Sequence, residues 1–182
     1  MTIAPRKPVA VLVLALALAG VAGTAPVGAR AGASDSGSSG SQVTTARSLG
    51  SSVLQLINAE RRTHGLKPLR LSQKLGAAAA AHARSMGVHG YFSHTSYDGT
   101  SFDVRIHRYF RGSMVGETMV WRSPELTPQE AVAMWMGSSE HRAILLNGRL
   151  TEIGLGAVSV QPGTGVYQGL DPTILVADFG TP

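Results

Sequence analysis

The chain of 182 residues contains no cysteine. That excludes disulfides and anchoring through a lipidated thiol, so any folded domain here rests on its core alone. It also lacks a membrane-spanning run: the uncharged apolar stretch at residues 9–22 is shorter than the roughly 20 residues a spanning helix needs. A basic patch of the kind nucleic acid requires is missing as well. Arg61-Arg62 and the arginines of residues 105–111 read as solvated helix faces. No His-Glu-x-x-His spacing presets a metal site, and no glycine-framed nucleophile elbow is present, which argues against serine hydrolase chemistry. There is no internal repeat.

What is present begins with an export pattern. Arg6 and Lys7 precede the apolar residues 9–22, and small residues around Ala29 and Ala31 follow. Residues 1–31 therefore read as a secretory signal peptide. Residues 32–46, dominated by Gly, Ala and Ser, read as a flexible linker. The remaining residues, 47–182, are long enough to bury a core of their own. Taking Arg6, Lys7 and Arg30 from the 16 basic residues leaves 13 against 11 acidic ones, so the mature chain is nearly balanced. The expectation is a secreted bacterial protein, extracellular or retained at the cell envelope, with no transmembrane span after signal removal. A monomer without a nucleic-acid partner is expected.

Order is expected from Ser51 or Ser52, with Val53, Leu54, Leu56 and Ile57 on the buried face of a first helix and Gly65 ending it. Ser72 opens a second helix on which Leu75, Ala78, Ala79, His82 and Met86 share one face. His82 reads as a core-edge histidine with a satisfied ring nitrogen, and His64 and His89 as loop histidines. Phe102 starts a short helix that turns Ile106 and either Tyr109 or Phe110 inward. Thr127-Pro128-Gln129-Glu130 carries the signature of a capping box with proline in the first turn. A short helix follows from Glu140 or His141. Residues 153–160 and 173–180 read as two strands that pair antiparallel, with close backbone packing at Gly154 and Gly156. Helices first and a small sheet last make an α+β domain.

The chemistry centres on Gly116-Glu117-Thr118, where one acid stands in an apolar run. A buried carboxylate costs several kcal/mol unless it is paired. His94, in Phe92-Ser93-His94, and His141, in Ser138-Ser139-Glu140-His141-Arg142, are natural partners on either side. The three are expected to meet in one cavity.

Several motifs then read together: Asn58-Ala59-Glu60-Arg61, Gly65-Leu66-Lys67-Pro68-Leu69, Phe92-Ser93-His94, Asp98-Gly99, Gly116-Glu117, Glu140-His141-Arg142 and Glu152-Ile153-Gly154-Leu155-Gly156. In their order and spacing they resemble the bacterial branch of the CAP superfamily. It groups cysteine-rich secretory proteins, insect venom antigens and plant pathogenesis-related proteins, and its SCP-like domain would cover residues 47–182. The resemblance implies an α-β-α sandwich around a small antiparallel sheet, with a surface cavity lined by histidines and acids. His94, Glu117 and His141 match the cavity residues. The family's fuller pattern has a second acid. Glu140 adjoins His141 but points about 100° away on a helix, and it is not assigned. Asn commonly follows the Gly-Glu pair in the family; here Thr118 does.

Two imidazoles and a carboxylate are a donor set for zinc or another divalent ion, and equally a set for acid–base work. The leading reading is a non-catalytic binding module whose cavity holds a lipid, cell-envelope or protein ligand, with a divalent metal such as zinc on His94, Glu117 and His141. The alternative is a metal-dependent hydrolase with Glu117 as base and both histidines as ligands. A third reading leaves the three residues purely structural beneath an interaction surface.

Overall fold

The structure, a computed structural model, describes the backbone of residues 38–182 and side chains from Ser48 onward. The expected signal peptide, and the first residues of the expected linker, lie outside the described residues. Among those described, no helix is long and apolar enough to cross a membrane. The chain runs α1 (Ser38–Thr63), β1 (Arg70–Leu71), α2 (Gln73–His89), α3 (Phe102–His107), β2 (Met114–Arg122), α4 (Pro128–Gly137), α5 (Ser139–Leu145), β3 (Glu152–Ser159) and β4 (Thr173–Thr181). A single 3-10 turn, Gly165–Tyr167, lies between β3 and β4.

Helix α1 begins at Ser38 rather than near Ser51, so the stretch expected as linker is helical over its second half. Leu49, Val53 and Ile57 are buried and anchor the helix. Once a turn is nucleated, each upstream residue adds a hydrogen bond without a new nucleation cost. The C-terminus ends as expected on Gly65 at φ 69°. The Leu66 and Gly65 amides donate back to the Arg61 and Arg62 carbonyls, at 2.9 and 3.0 Å. Arg61 itself departs from the solvated face expected of it. It is 1% exposed. Its guanidinium donates to the carbonyls of Lys67, Leu145, Asn147 and Leu150, stitching α1 to the segment that follows α5.

Ser72 sits at the N-cap of α2, but its side chain makes no capping bond. Its backbone amide is drawn to the Ile153 carbonyl at 2.8 Å instead, continuing the β1–β3 pairing. Thr127 and Glu130 form the full capping box predicted for α4. Trp135 of α4 donates its indole N–H to the Met119 carbonyl at 3.1 Å, tying that helix to β2.

The sheet order is β1-β3-β4-β2. β3 and β4 pair antiparallel as expected, and β2 pairs antiparallel with β4 along its whole length. β1 pairs parallel with β3, so the sheet is mixed at that edge rather than purely antiparallel. Side chains alternate across the sheet. Ile153, Leu175, Ala177, Phe179 and Val120 pack in one cluster with α1, α4 and Leu145 of α5. Met119, Ile174 and Val176 face α2 on the other side. Gly154 and Gly156 lie directly against the α2 backbone. This is the α-β-α sandwich, and it decides which residues can meet.

Candidate functional site

Adding a Cβ at Gly116 would bring it against Ile144 and Leu150, so that position faces α5. The next residue on a strand points the opposite way. Glu117 therefore enters the layer beneath α2 and α3, where it is 3% exposed. Both carboxylate oxygens are taken. His94 Nδ1 lies 2.7 Å from Oε1. Oε2 accepts from Arg105 Nη2. The other end of the Arg105 guanidinium donates to the His94 carbonyl at 3.0 Å and to Ser96 Oγ at 2.9 Å. One arginine thus holds both the acid and the loop that carries its histidine.

Arg105 is the residue the sequence reading missed most plainly. It was read as solvated and is 6% exposed. Its twelve-residue separation from Glu117 gave no local signal. The second omission is Asp178, 0% exposed and directly opposite Glu117 in the β2–β4 register. A lone acid in the apolar strand Thr173–Thr181 was a visible signal. Neither Asp178 oxygen has a hydrogen-bond partner. Burial, and then the Glu117 charge, push its pKa well above the ordinary carboxylate range. Burial pushes Glu117 upward too, but the His94 hydrogen bond and the Arg105 charge outweigh it and hold Glu117 below its ordinary value. Two carboxyl groups side by side are thus driven apart, one ionised and one neutral.

His94 is hydrogen-bonded to Glu117, and no hydrogen bond links the His141 imidazole to either. The His141 imidazole makes no side-chain hydrogen bond. Its pKa is lowered by burial first and then by interaction with His94. The reason lies in strand alternation: α5 packs on the face to which Gly116 points, whereas Glu117 points to the other. Glu140 accepts from Ser138 Oγ at 3.0 Å and serves its own helix start. A surface hollow of about 460 Å³ lies elsewhere, lined by Leu71, Gln73, Phe110, Arg111 and Glu152 among others, and by none of the three expected residues.

His82 is buried as expected, yet only half satisfied. Nε2 meets the Ser93 carbonyl at 2.9 Å, while Nδ1 has no partner. Burial chiefly lowers its pKa from 6.5 to about 4. The unfolded chain then binds this proton more readily than the folded one. The stability that neutral His82 contributes is present above pH 6.5 and is lost as the pH falls toward 4. Denaturant melts over that window are expected to show a falling midpoint, with a shallower fall in His82→Phe. An identical slope in the variant would refute the assignment.

Residues 54–179 match the family model of CAP, the cysteine-rich secretory protein family. The chain belongs to that family. It is 37% identical over 107 residues to the uncharacterized protein YkwD of Bacillus subtilis. It is 31% identical over 105 residues to the uncharacterized membrane protein YlbC of the same organism. These matches cover 58% and 57% of this chain but only 41% and 30% of those relatives, so it spans less than half their length. Among solved structures, an extracellular SCP-domain protein of Bacillus anthracis superposes with a TM-score of 0.65 at 24% identity. That match covers 82% of this chain and 45% of the other. An outer surface protein of Borrelia burgdorferi gives 0.57 at 24% identity, covering 71% of this chain and 89% of that one. These likenesses bear on the fold.

Within this CAP domain, the buried Thr118 hydroxyl has no hydrogen-bond partner. Both Glu117 oxygens are occupied, one by a cation that would repel a metal. Among the described residues, no three His, Asp or Glu side chains gather at metal-binding distance.

Proposed function

We propose that this CAP domain is an exported binding module that holds its ligand without transforming it, with His94 and His141 as the polar groups the ligand meets. The observation that carries this reading is the state of Glu117. Its side chain is 0% exposed, with His94 on one oxygen and Arg105 on the other. A general base must lie within reach of the substrate proton, and Glu117 is sealed from solvent. What it supplies is orientation. Glu117 engages Nδ1 of His94, which leaves Nε2 as the ring nitrogen for a ligand. The His94 side chain is 14% exposed. Location outside the cell is supported by the export pattern of residues 1–31 and by the descriptions of the Bacillus anthracis and Borrelia proteins as extracellular and outer-surface. Cell-envelope material is the ligand class that such a location offers.

Two titrations test the reading. Calorimetry with zinc is expected to give no saturable one-ion site in the folded chain. A tight site lost in both His94→Ala and Glu117→Gln would revive the metal-dependent hydrolase. In parallel, the imidazole NMR signals of His94 and His141 are expected to shift saturably with either phosphatidylglycerol bicelles or a soluble oligosaccharide such as chitotetraose. Silence of both rings toward both probes counts against a binding role for the site.

A further inference from the structure

Three residues beyond His94 in the same loop, Tyr97 is 68% exposed. It is nevertheless held in place. Its ring stacks on the His89 imidazole with centroids 4.1 Å apart and planes 8° from parallel. Tyr91 stands 5.9 Å away, tilted by 42°. The Tyr97 backbone N–H donates to the Tyr91 hydroxyl at 3.2 Å, and that hydroxyl shares a 3.0 Å hydrogen bond with Ser85 Oγ. Tyr91 is pinned in turn, since its carbonyl accepts from the Tyr167 hydroxyl at 2.8 Å. One face of the Tyr97 ring therefore rests on His89 and the other is presented to solvent in a fixed plane. Ordering a side chain on binding costs free energy, and here that cost is already met.

The surroundings of the ring restrict what fits it. Asp98 follows it directly and is exposed. Hydrogen bonds from Thr100 hold its carboxyl below the ordinary range, so it presents a negative charge beside the ring. The 3-10 turn packs against the same corner, with the Val166 N–H donating to the Gly90 carbonyl at 2.9 Å. That turn ends on exposed Gln168, which holds a left-handed backbone at φ 52°, unlike any other non-glycine residue described. Such a conformation costs about 1 kcal/mol or more, and marks a position to which the surrounding structure holds it.

We infer that the Tyr97–His89 stack is a platform for a neutral glycan, an extension of the His94 site that rests on the binding-module reading above. A pyranose ring has an apolar C–H face that lies on an aromatic ring, and hydroxyls at its rim that donate to a carboxylate or an amide. Tyr97 supplies the ring and Asp98 the carboxylate. A lipid surface calls for a broader apolar area flanked by cations, and the Asp98 charge opposes an anionic headgroup.

The test is NMR titration of the full chain with chitotetraose and cellotetraose, with phosphatidylglycerol bicelles as the contrasting probe. Saturable shifts of the Tyr97 and His89 signals are expected with at least one sugar. Affinity is expected to fall about tenfold in Tyr97→Ala and to be kept in Tyr97→Phe, which preserves the ring. Tyr97 is exposed, so an unchanged amide spectrum will establish that Tyr97→Ala is folded. Equal sugar affinity in Tyr97→Ala overturns the platform, as does absence of saturable sugar binding by the wild type. Sugar shifts confined to His94 and His141 would sink the platform and leave the binding-module reading intact. Bicelle binding lost in Tyr97→Ala would identify the surface as lipid-directed and overturn the glycan assignment.

Discussion

Arg105→Met is expected to destabilise the domain by about 4 kcal/mol, because it strands a carboxylate that is buried on every side. The methionine keeps much of the arginine's volume and stem packing, so the loss reports charge and hydrogen bonds rather than a cavity. Three contacts disappear together: the bond to Glu117, the bond to the His94 carbonyl and the bond to Ser96. Asp178 stands opposite Glu117 with no donor of its own, and the Arg105 charge is what opposes the upward drive on its pKa. Urea unfolding of Arg105→Met, Glu117→Gln and the double variant separates the contributions. The double variant is expected to recover a large part of the loss, since the uncompensated charge is then gone. A loss below about 1 kcal/mol in Arg105→Met would put the pair in the class of surface ion pairs and remove its claim to organise the site.

Gly154→Ala is the other large effect, expected at about 3 kcal/mol. A Cβ there would lie 1.9 Å from the Gly76 amide nitrogen and 2.1 Å from the Leu75 carbonyl carbon. Both atoms are backbone, so no side-chain rotation relieves the clash; α2 has to move away from the sheet. That displacement strains the layer in which Glu117 and Asp178 are buried. It is therefore expected to disturb the His94 NMR signal as well as the denaturation midpoint. Gly137→Ala is the matching control. Nothing lies within 4 Å of an added Cβ at Gly137, and Ala is the better helix former. A stability change there within about 0.5 kcal/mol is expected. Equal effects at Gly154 and Gly137 would contradict close helix–sheet contact.

The capping box at Thr127, the left-handed Gly65 and the strand character of β3 and β4 were all legible because each is a local rule: neighbouring residues decide it. The close approach at Gly154 and Gly156 was legible for the same reason, since glycine inside a strand pattern signals a near backbone. β2 was harder. Its apolar run includes Gly116 and Glu117 and shows no clean alternation, because the sheet is covered on both faces. The start of α1 was misplaced because a Ser- and Gly-rich composition hides a helix that tertiary packing further along has already nucleated.

The site divided along the same line. Sequence alone determined that Glu117 would be buried and need partners, and it supplied His94 as one of them. Only the tertiary structure decided that Arg105 would be the other and that Asp178 would stand across the strand. Long-range register and the face on which each helix packs set those outcomes. A buried charge announces in the sequence that it must be compensated, but the compensating group is chosen by which elements the fold brings to its face of the sheet.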